Sequence, residues 1–258
     1  WALPRPYRFQ NYLRCHHDIG GGLDYSWLAQ GQGQGEGPHK KYLNDWFTGR
    51  WPGSWSRGEL YNDDPRLGDA RLCGTTASLC GVESALVSGD DDALERAIRC
   101  DLMLHAWMLS QSGIPVLYSG DELGRLNDYN YHGDPAKVDD SRYLHRGNFQ
   151  WDQAALCRDE STVPGRIFQG LRRLETIRGR EQVFRADAEV SLLEPENRSV
   201  LAICRQYGGE ELVALFNFSE HSQSARCPEH GWTDLVSGQK VDGGFLTLPG
   251  YGFLWLKK

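Results

Sequence analysis

The hydrophobic period of the chain changes once, near residue 184, and this change constrains the fold more than any other feature. Before that point apolar residues recur mostly at helical spacing, with two short apolar runs typical of buried strands. Beyond it, short strand-like segments are separated by glycine, proline, asparagine and glutamate. We therefore expect an α/β domain over residues 1–183 and a small antiparallel β-sandwich domain over residues 184–258.

Signals for helix ends define two helices of the first domain. Thr162 followed by Pro164 predicts a helix start, and an apolar stripe follows it. Asp91 is a candidate N-cap of an earlier helix, which is apolar in its middle and ends near Gly113. The apolar run at residues 115–118 then predicts a buried strand. A helix, a short turn and a buried strand are half of a βα repeat.

Charge and hydropathy exclude two classes of partner. The 258 residues carry a formal net charge of -7 and a pI near 5.6, and no stripe of lysine or arginine offsets it. A nucleic-acid backbone would therefore be repelled. No apolar run approaches the roughly 20 residues that cross a bilayer, so we expect no membrane segment. A neutral or small polar ligand fits this surface best.

Cysteine usage indicates a reducing compartment. Seven cysteines are scattered along the chain, and no two have the spacing of a CxxC pair. An odd, scattered set is typical of free thiols, so we expect a cytoplasmic protein without a zinc or redox site. The chain begins at Trp1 without an initiator methionine, which suggests a piece of something longer.

A polar cluster lies in the segment NYLRCHHDIGGGLDY, residues 11–25. The run at residues 12–15 predicts a short strand, and His16, His17 and Asp18 follow it immediately before three glycines. In α/β folds the carboxyl ends of strands carry the chemistry, because the scaffold fixes the strand end while the following loop varies. These three residues are therefore candidates for a site.

Four segments resemble, in order and spacing, the C-terminal half of amylosucrase and its relatives, the α-amylase-type glycoside hydrolases of family 13: HHDIG, GDARLCGTTASL, GIPVLYSGDELGRLND and DDSRYLHR. The resemblance covers nearly the whole chain. It implies that residues 1–183 are the C-terminal part of a (β/α)8 TIM barrel, namely strands 7 and 8 with their loops and helices and a long loop after strand 7. It also implies the C-terminal β domain.

The same resemblance implies that this chain lacks two essential groups. Retaining cleavage of an α-glucoside needs a carboxylate nucleophile and a carboxylic acid about 5 Å apart. In this family they follow the fourth and fifth strands, and a whole barrel takes roughly 250 residues. Two visible barrel strands therefore leave both groups outside the chain. We expect the chain alone to be inactive.

The resemblance also assigns roles around the polar cluster. With Ile19 and Gly20 in register, His16 aligns with the family histidine that contacts the glucosyl unit, His17 with the aspartate that stabilises the transition state, and Asp18 with a variable position. A neutral imidazole cannot supply the negative charge that an oxocarbenium ion requires. An alternative alignment pairs His17 and Asp18 with the family His-Asp, at the expense of a one-residue shift in the Ile-Gly register.

Two arginines have both a functional and a structural interpretation. By resemblance, Arg71 and Arg142 bind sucrose or an acceptor sugar, and the planar guanidinium suits paired hydroxyl groups. Alternatively, Arg71 forms a structural ion pair with Asp69, and Arg142 is paired with Asp139 or Asp140.

Two further polar features are expected to be structural. Asp121 and Glu122 are adjacent, and neighbours on an extended chain point to opposite faces, so at most one would face a pocket. Lys40 could lie near an outer acceptor subsite, but a solvated helix face is the simpler expectation.

The sequence thus predicts part of a retaining α-glucoside-active enzyme, acting on sucrose or a related α-glucan by transfer or hydrolysis, without a cofactor or metal. Because two strands cannot close a barrel, we expect either self-association or binding of the missing N-terminal half. The β domain after Phe184 is expected to fold independently. The alternative is a non-catalytic carbohydrate-binding or structural fragment.

Overall fold

The computed structural model describes residues 9–26, 35–64, 66, 70–229 and 231–258, which form two compact units. The hairpin unit comprises the described residues of 14–97 and 118–156. The sheet unit comprises those of 9–13, 98–117 and 157–258. No helix in the described part of the chain is long and apolar enough to cross a membrane.

The helices that the structure describes are α1 (Glu36–Phe47), α2 (Thr76–Leu79), α3 (Val82–Ser88), α4 (Asp91–Leu109), α5 (Trp151–Ala154) and α6 (Val163–Arg180). Short 3-10 turns occur at Asp121–Leu123, Tyr129–Gly133, Ser141–His145 and Gln182–Phe184. The strands are β1 (Gln10–Asn11), β2 (Glu59–Tyr61), β3 (Arg71–Cys73), β4 (Ile114–Pro115), β5 (Glu189–Leu193), β6 (Val200–Tyr207), β7 (Glu210–Asn217), β8 (Gln223–Cys227), β9 (Trp232–Asp234), β10 (Lys240–Val241), β11 (Gly244–Leu248) and β12 (Phe253–Lys257).

The sheet unit is built on a six-stranded antiparallel sheet with the order β10-β9-β12-β7-β6-β5, and on a two-stranded sheet, β11-β8. Side chains of β7 alternate between two cores. Val213 and Leu215 face the two-stranded sheet, where they pack with Ala225 and Leu248. Two sheets with a shared apolar core form a sandwich, as the change of period predicts.

The opposite face of the six-stranded sheet packs on helices. Phe216 of β7 and Trp255 of β12 share one buried cluster with Met103 of α4 and Leu174 of α6. Arg205 of β6 is fully buried there and donates to three backbone carbonyl groups outside its own strand. One face of the sheet is thus completed by α4 and α6, and independent folding of the β domain stays a prediction.

Helix ends follow the sequence signals with one correction. Thr162 caps α6 as expected, and its hydroxyl accepts a hydrogen bond from the Gly165 amide at 3.1 Å. The cap of α4 is Asp90 rather than Asp91, since the Asp90 carboxylate accepts the Ala93 amide at 2.9 Å. Asp91 is instead the first residue of the helix. Either aspartate satisfies the sequence rule, and only the backbone geometry separates them.

Two short strands near the two apolar runs expected to be strands form a parallel pair in the sheet unit. Gln10 pairs with Ile114 and Asn11 with Pro115. Both strands are shorter than predicted and begin earlier, so residues 12–15 and 116–118 lie outside them. Within the described residues this sheet has only two strands. Each strand is therefore paired on one side only and forms few backbone hydrogen bonds to a neighbouring strand.

The hairpin unit takes its name from β2 and β3, which pair antiparallel from Glu59 opposite Cys73 to Tyr61 opposite Arg71. Its other described elements are α1, α2, α3 and the first turns of α4, together with the short α5 and the three 3-10 turns before it. The segment after β3 forms two short helices, α2 and α3. Gly81, with φ +99°, separates them.

Candidate functional site

The polar cluster is held beside the hairpin by backbone hydrogen bonds. The Ile19 amide donates to the Leu72 carbonyl at 2.7 Å, and the Leu72 amide donates back to Ile19 at 3.0 Å. This isolated bridge places Asp18 next to Arg71 of β3. Residues that lie more than fifty positions apart in sequence thus meet at one end of β3.

Asp18 and Arg71 form the central ion pair of the candidate site. The Arg71 Nη1 atom lies 3.2 Å from Asp18 Oδ2. The Asp18 side chain is 7% exposed, whereas that of Arg71 is 45% exposed. The arginine therefore holds the carboxylate in place and keeps much of its own surface open to a ligand. Among the described residues Arg71 pairs with Asp18; Asp69, the partner considered from sequence, lies outside the described residues.

His16 and His17 are both exposed at this site. Their rings lie 4.0 Å apart between centroids and are tilted by 43°. The His16 carbonyl accepts a hydrogen bond from Arg146 Nε at 2.7 Å, and the His17 amide contacts Cys15 Sγ at 3.4 Å. These contacts fix the backbone. Neither imidazole ring has a hydrogen bond to another described residue.

Arg142 has the ion pair that the structural interpretation required. Its Nε and Nη2 atoms donate to the two oxygens of Asp140 at 2.7 and 2.8 Å, and its guanidinium lies 4.3 Å from the centre of the Tyr61 ring. The hydrogen bond from Arg142 lowers the pKa of Asp140, and the same bond raises the pKa of Arg142. Arg146 approaches the same carboxylate at 3.5 Å. Asp140, rather than Asp139, is the partner.

A buried ion pair in the same unit was not identified from the sequence. Arg14 is 3% exposed, and its guanidinium forms an ion pair with Asp121, which also accepts a hydrogen bond from Thr76 at 3.1 Å. Glu122 instead accepts the Gly120 amide at 2.7 Å. Both acids are thus structural, as expected, although they lie in a 3-10 turn and not on an extended chain. The sequence did contain a signal for such a pair: Arg14 stands within the apolar run YLRC, and a buried arginine needs a charged partner.

His145 is a second buried polar residue that was not identified from the sequence. It is 1% exposed, and its Nδ1 atom accepts the Gly74 amide at 3.2 Å. Burial, with the nearby positive charge of Arg14, lowers the pKa of His145 to about 4. A neutral imidazole therefore anchors the turn that follows β3.

The other expectations concern Lys40 and the thiols. Lys40 forms an ion pair with Glu36 at 2.7 Å within α1 and lies 5.5 Å from the centre of the Tyr25 ring; its side chain is 25% exposed, so the face expected to be solvated is only partly so. None of the seven cysteines forms a disulfide. In the described residues no three His, Cys, Asp or Glu side chains are arranged to hold a metal ion.

The arrangement suits the binding of hydroxyl groups. Asp18 offers carboxylate oxygens as acceptors, Arg71 offers donors, and the two exposed imidazoles can do either. A single fixed carboxylate of this kind can bind a sugar and stabilise positive charge. It does not supply the two carboxyl groups that retaining cleavage requires.

Comparison with known proteins identifies a family match for the C-terminal part of the chain and several relatives. Residues 190–255 match the family of the maltogenic amylase C-terminal domain. Glucosylglycerate phosphorylase of Escherichia coli (strain K12) is 28% identical over 172 residues, which are 66% of this chain and 29% of that protein. Trehalose synthase of Thermus thermophilus is 25% identical over 187 residues, which are 58% of this chain and 19% of that protein. The chain thus spans less than a third of either relative.

Solved structures show a similar fold. Trehalulose synthase MutB from Pseudomonas mesoacidophila MX-45 superposes with a TM-score of 0.50 at 19% identity, over 62% of this chain and 38% of that one. AmyP in complex with maltotriose gives a TM-score of 0.50 at 15% identity, over 64% of this chain and 38% of that one. The resemblance found in the sequence motifs is therefore confirmed: this chain is related to the C-terminal part of the α-amylase-type enzymes of glycoside hydrolase family 13.

Proposed function

We propose that this chain is part of a retaining α-glucoside-active enzyme, which transfers a glucosyl unit from sucrose or a related α-glucan to an acceptor or to water. The observation that carries the proposal is the Asp18–Arg71 pair, in which a nearly buried carboxylate is fixed at 3.2 Å by a half-exposed arginine. The names of the relatives support the substrate class, since glucosylglycerate, trehalose and trehalulose are all glucosides.

Within this site we assign Asp18 the role of the carboxylate that binds the sugar and supports the transition state. The geometry favours the alternative alignment, because Asp18 is held by Arg71 while the His17 ring is exposed and has no described partner. His16 and Arg71 then contact sugar hydroxyl groups. Arg142 contributes through the part of its guanidinium that Asp140 does not occupy.

We further propose that β1 and β4 are the seventh and eighth strands of a (β/α)8 barrel. They pair in parallel, as barrel strands do, and four apolar side chains on or beside them are exposed: Phe9, Tyr12, Ile114 and Val116. Parallel sheets are normally covered on both faces. The N-terminal part of the barrel, or a second copy of this chain, would cover them, and light scattering of the isolated chain should report an oligomer. The free thiols support a reducing, cytoplasmic location.

The experiment that tests the site measures binding and turnover separately. Isothermal titration with sucrose and maltose should detect binding that Asp18→Asn or Arg71→Gln weakens about tenfold, the loss typical of a hydrogen bond to a charged group. Asp64→Asn, which changes a carboxylate bound to Arg66 in the same unit, is the matched control and should bind as the unsubstituted chain does.

Turnover by the isolated chain should be absent. Sucrose, maltose and an aryl α-glucoside should release no sugar above a boiled control, because a nucleophile and a general acid are not among its site residues. Release that persists through repurification would refute the proposed inactivity, and equal binding by the Asp18 and Asp64 variants would refute the site.

The alternative is a non-catalytic carbohydrate-binding or structural fragment, which would keep the same Asp18–Arg71 pair. The complete reading frame that encodes this chain, here called the parent, distinguishes the enzyme from the binding fragment. A parent that encodes the earlier βα units, with carboxylates after the fourth and fifth strands, supports the enzyme. A parent without them supports the binding fragment.

A further inference from the structure

A cleft of about 680 Å³ in the hairpin unit lies between β2 and the 3-10 turns at Tyr129–Gly133 and Ser141–His145. Its volume is within the range of small-molecule sites. Its lining combines side chains that donate and accept hydrogen bonds with aromatic rings. The polar and aromatic members that matter here are Arg50, Glu59, Tyr61, Asn62, Asp63 and Asp139.

One wall of the cleft is rigid. Glu59 accepts a hydrogen bond from the Tyr131 hydroxyl, and its other oxygen lies 3.1 Å from His132 Nε2. The Ser141 hydroxyl donates to the Leu60 carbonyl at 2.9 Å, which ties the second turn to β2. The ring of Tyr61 is held against the Arg142 guanidinium. This wall is therefore formed before any ligand arrives.

Other lining residues carry charged groups that pair with no described residue. Arg50, Asp63 and Asp139 are exposed, and none of their side chains forms a hydrogen bond or ion pair with another described residue. Asn62 has φ +58°, a left-handed conformation that asparagine tolerates, and it turns the chain at the end of β2 where Asp63 follows. Donors and acceptors thus face one cleft without pairing with each other.

The charges of the lining select the kind of ligand. Three carboxylates and one guanidinium give the cleft a net negative charge, so phosphates and other anions are disfavoured. A metal ion is not favoured either, since no group of three metal-ligating side chains was found among the described residues. Mixed donors and acceptors beside tyrosine rings suit a neutral polyhydroxylated ligand. We infer that this cleft binds a neutral oligosaccharide.

The test observes the cleft itself by titrating isotopically labelled chain with maltotetraose up to about 20 mM, a range that covers millimolar dissociation constants. Backbone amide shifts should move at residues 59–63 and 138–141. Glucose 1-phosphate at the same concentrations should cause much smaller shifts there. Absence of shifts at these residues, or stronger binding of the phosphate, would overturn the inference.

Two substitutions with matched controls locate the effect. Arg50→Ala and Asp63→Ala should each weaken maltotetraose binding about tenfold, as expected for loss of a hydrogen bond to a charged group. Lys41→Ala and Asp64→Ala change the same charges on residues that do not line the cleft, and should bind as the unsubstituted chain does. Equal effects in all four variants would overturn the inference.

The two sites can be judged separately. Asp18→Asn should leave the maltotetraose shifts at residues 59–63 unchanged, whether or not it affects sucrose binding. A loss of these shifts in the Asp18→Asn chain would mean that the cleft does not bind sugar on its own.

Discussion

Acidification should weaken the fold through His145, whose buried ring must become charged as the pH falls. The ring is 1% exposed and accepts the Gly74 amide, so it is neutral in the folded chain. Burial first, and then the positive charge of Arg14, lowers its pKa from the usual 6.5 to about 4. Between these two values the unfolded chain binds more protons than the folded chain, so the free energy of unfolding falls as pH is lowered through this window.

The size of the effect follows from the two pKa values. A shift of one unit corresponds to about 1.4 kcal/mol, so the full difference below pH 4 is about 3 kcal/mol. Lowering the pH from 7 to 5 samples most of the window. The free energy of unfolding should therefore fall by about 2 kcal/mol through this residue alone.

Urea unfolding at pH 7 and pH 5, followed by tryptophan fluorescence, measures this loss. The His145→Asn variant keeps an acceptor near the Gly74 amide and cannot titrate, so it should lose about 2 kcal/mol less than the unsubstituted chain over this interval. Carboxylates titrate in both proteins and cancel in the difference. The control is His221→Asn, because the His221 side chain is 79% exposed. An identical pH dependence of all three chains would refute the argument.

Three further outcomes follow from buried groups. Arg205→Met removes a donor from three carbonyl groups, of which that of Arg185 keeps the Ala188 amide, and should reduce the free energy of unfolding by about 3 kcal/mol in urea. Gly113→Ala should reduce it by about 2 kcal/mol or more, because φ is +127° and the new methyl group would lie 2.4 Å from the Phe9 carbonyl oxygen. Burial raises the pKa of Cys73 and Cys227 to about 11, so pulse alkylation at pH 8 with mass spectrometry should label both at least about a hundredfold more slowly than the half-buried cysteines.

Sequence rules predicted the helices and strands whose signals lie within a few neighbouring residues. Thr162 with Pro164 marked the start of α6, and the change of period near residue 184 marked the antiparallel strands. Sequence could not show that the β6–β7 face is completed by α4, because that packing joins residues about a hundred positions apart. The strands of the parallel pair were misplaced since an apolar run shows burial and does not show which of its residues have ladder partners.

The candidate site was predictable in its residue types and not in its pairing. Arg71 and Arg142 were identified, but Asp18 lies 53 positions from Arg71 and became its partner through the Ile19–Leu72 bridge. Asp140 lies two positions from Arg142, and there the local interpretation was sufficient. Long-range pairs require knowledge of which strand passes beside the motif, and no spacing rule supplies it.

The contrast between His17 and Asp18 supports the proposed alignment, in which these two residues match the family His-Asp. The His17 ring is exposed and has no hydrogen bond to a described residue, so a substitution at this position disturbs no packing and leaves no buried group unsatisfied. Asp18 is nearly buried and paired with Arg71, and replacing it with histidine would remove that ion pair and require room for a ring. The fold therefore tolerates variation at residue 17 and constrains residue 18. Under the proposed alignment, Asp18 is the carboxylate whose loss should weaken sugar binding.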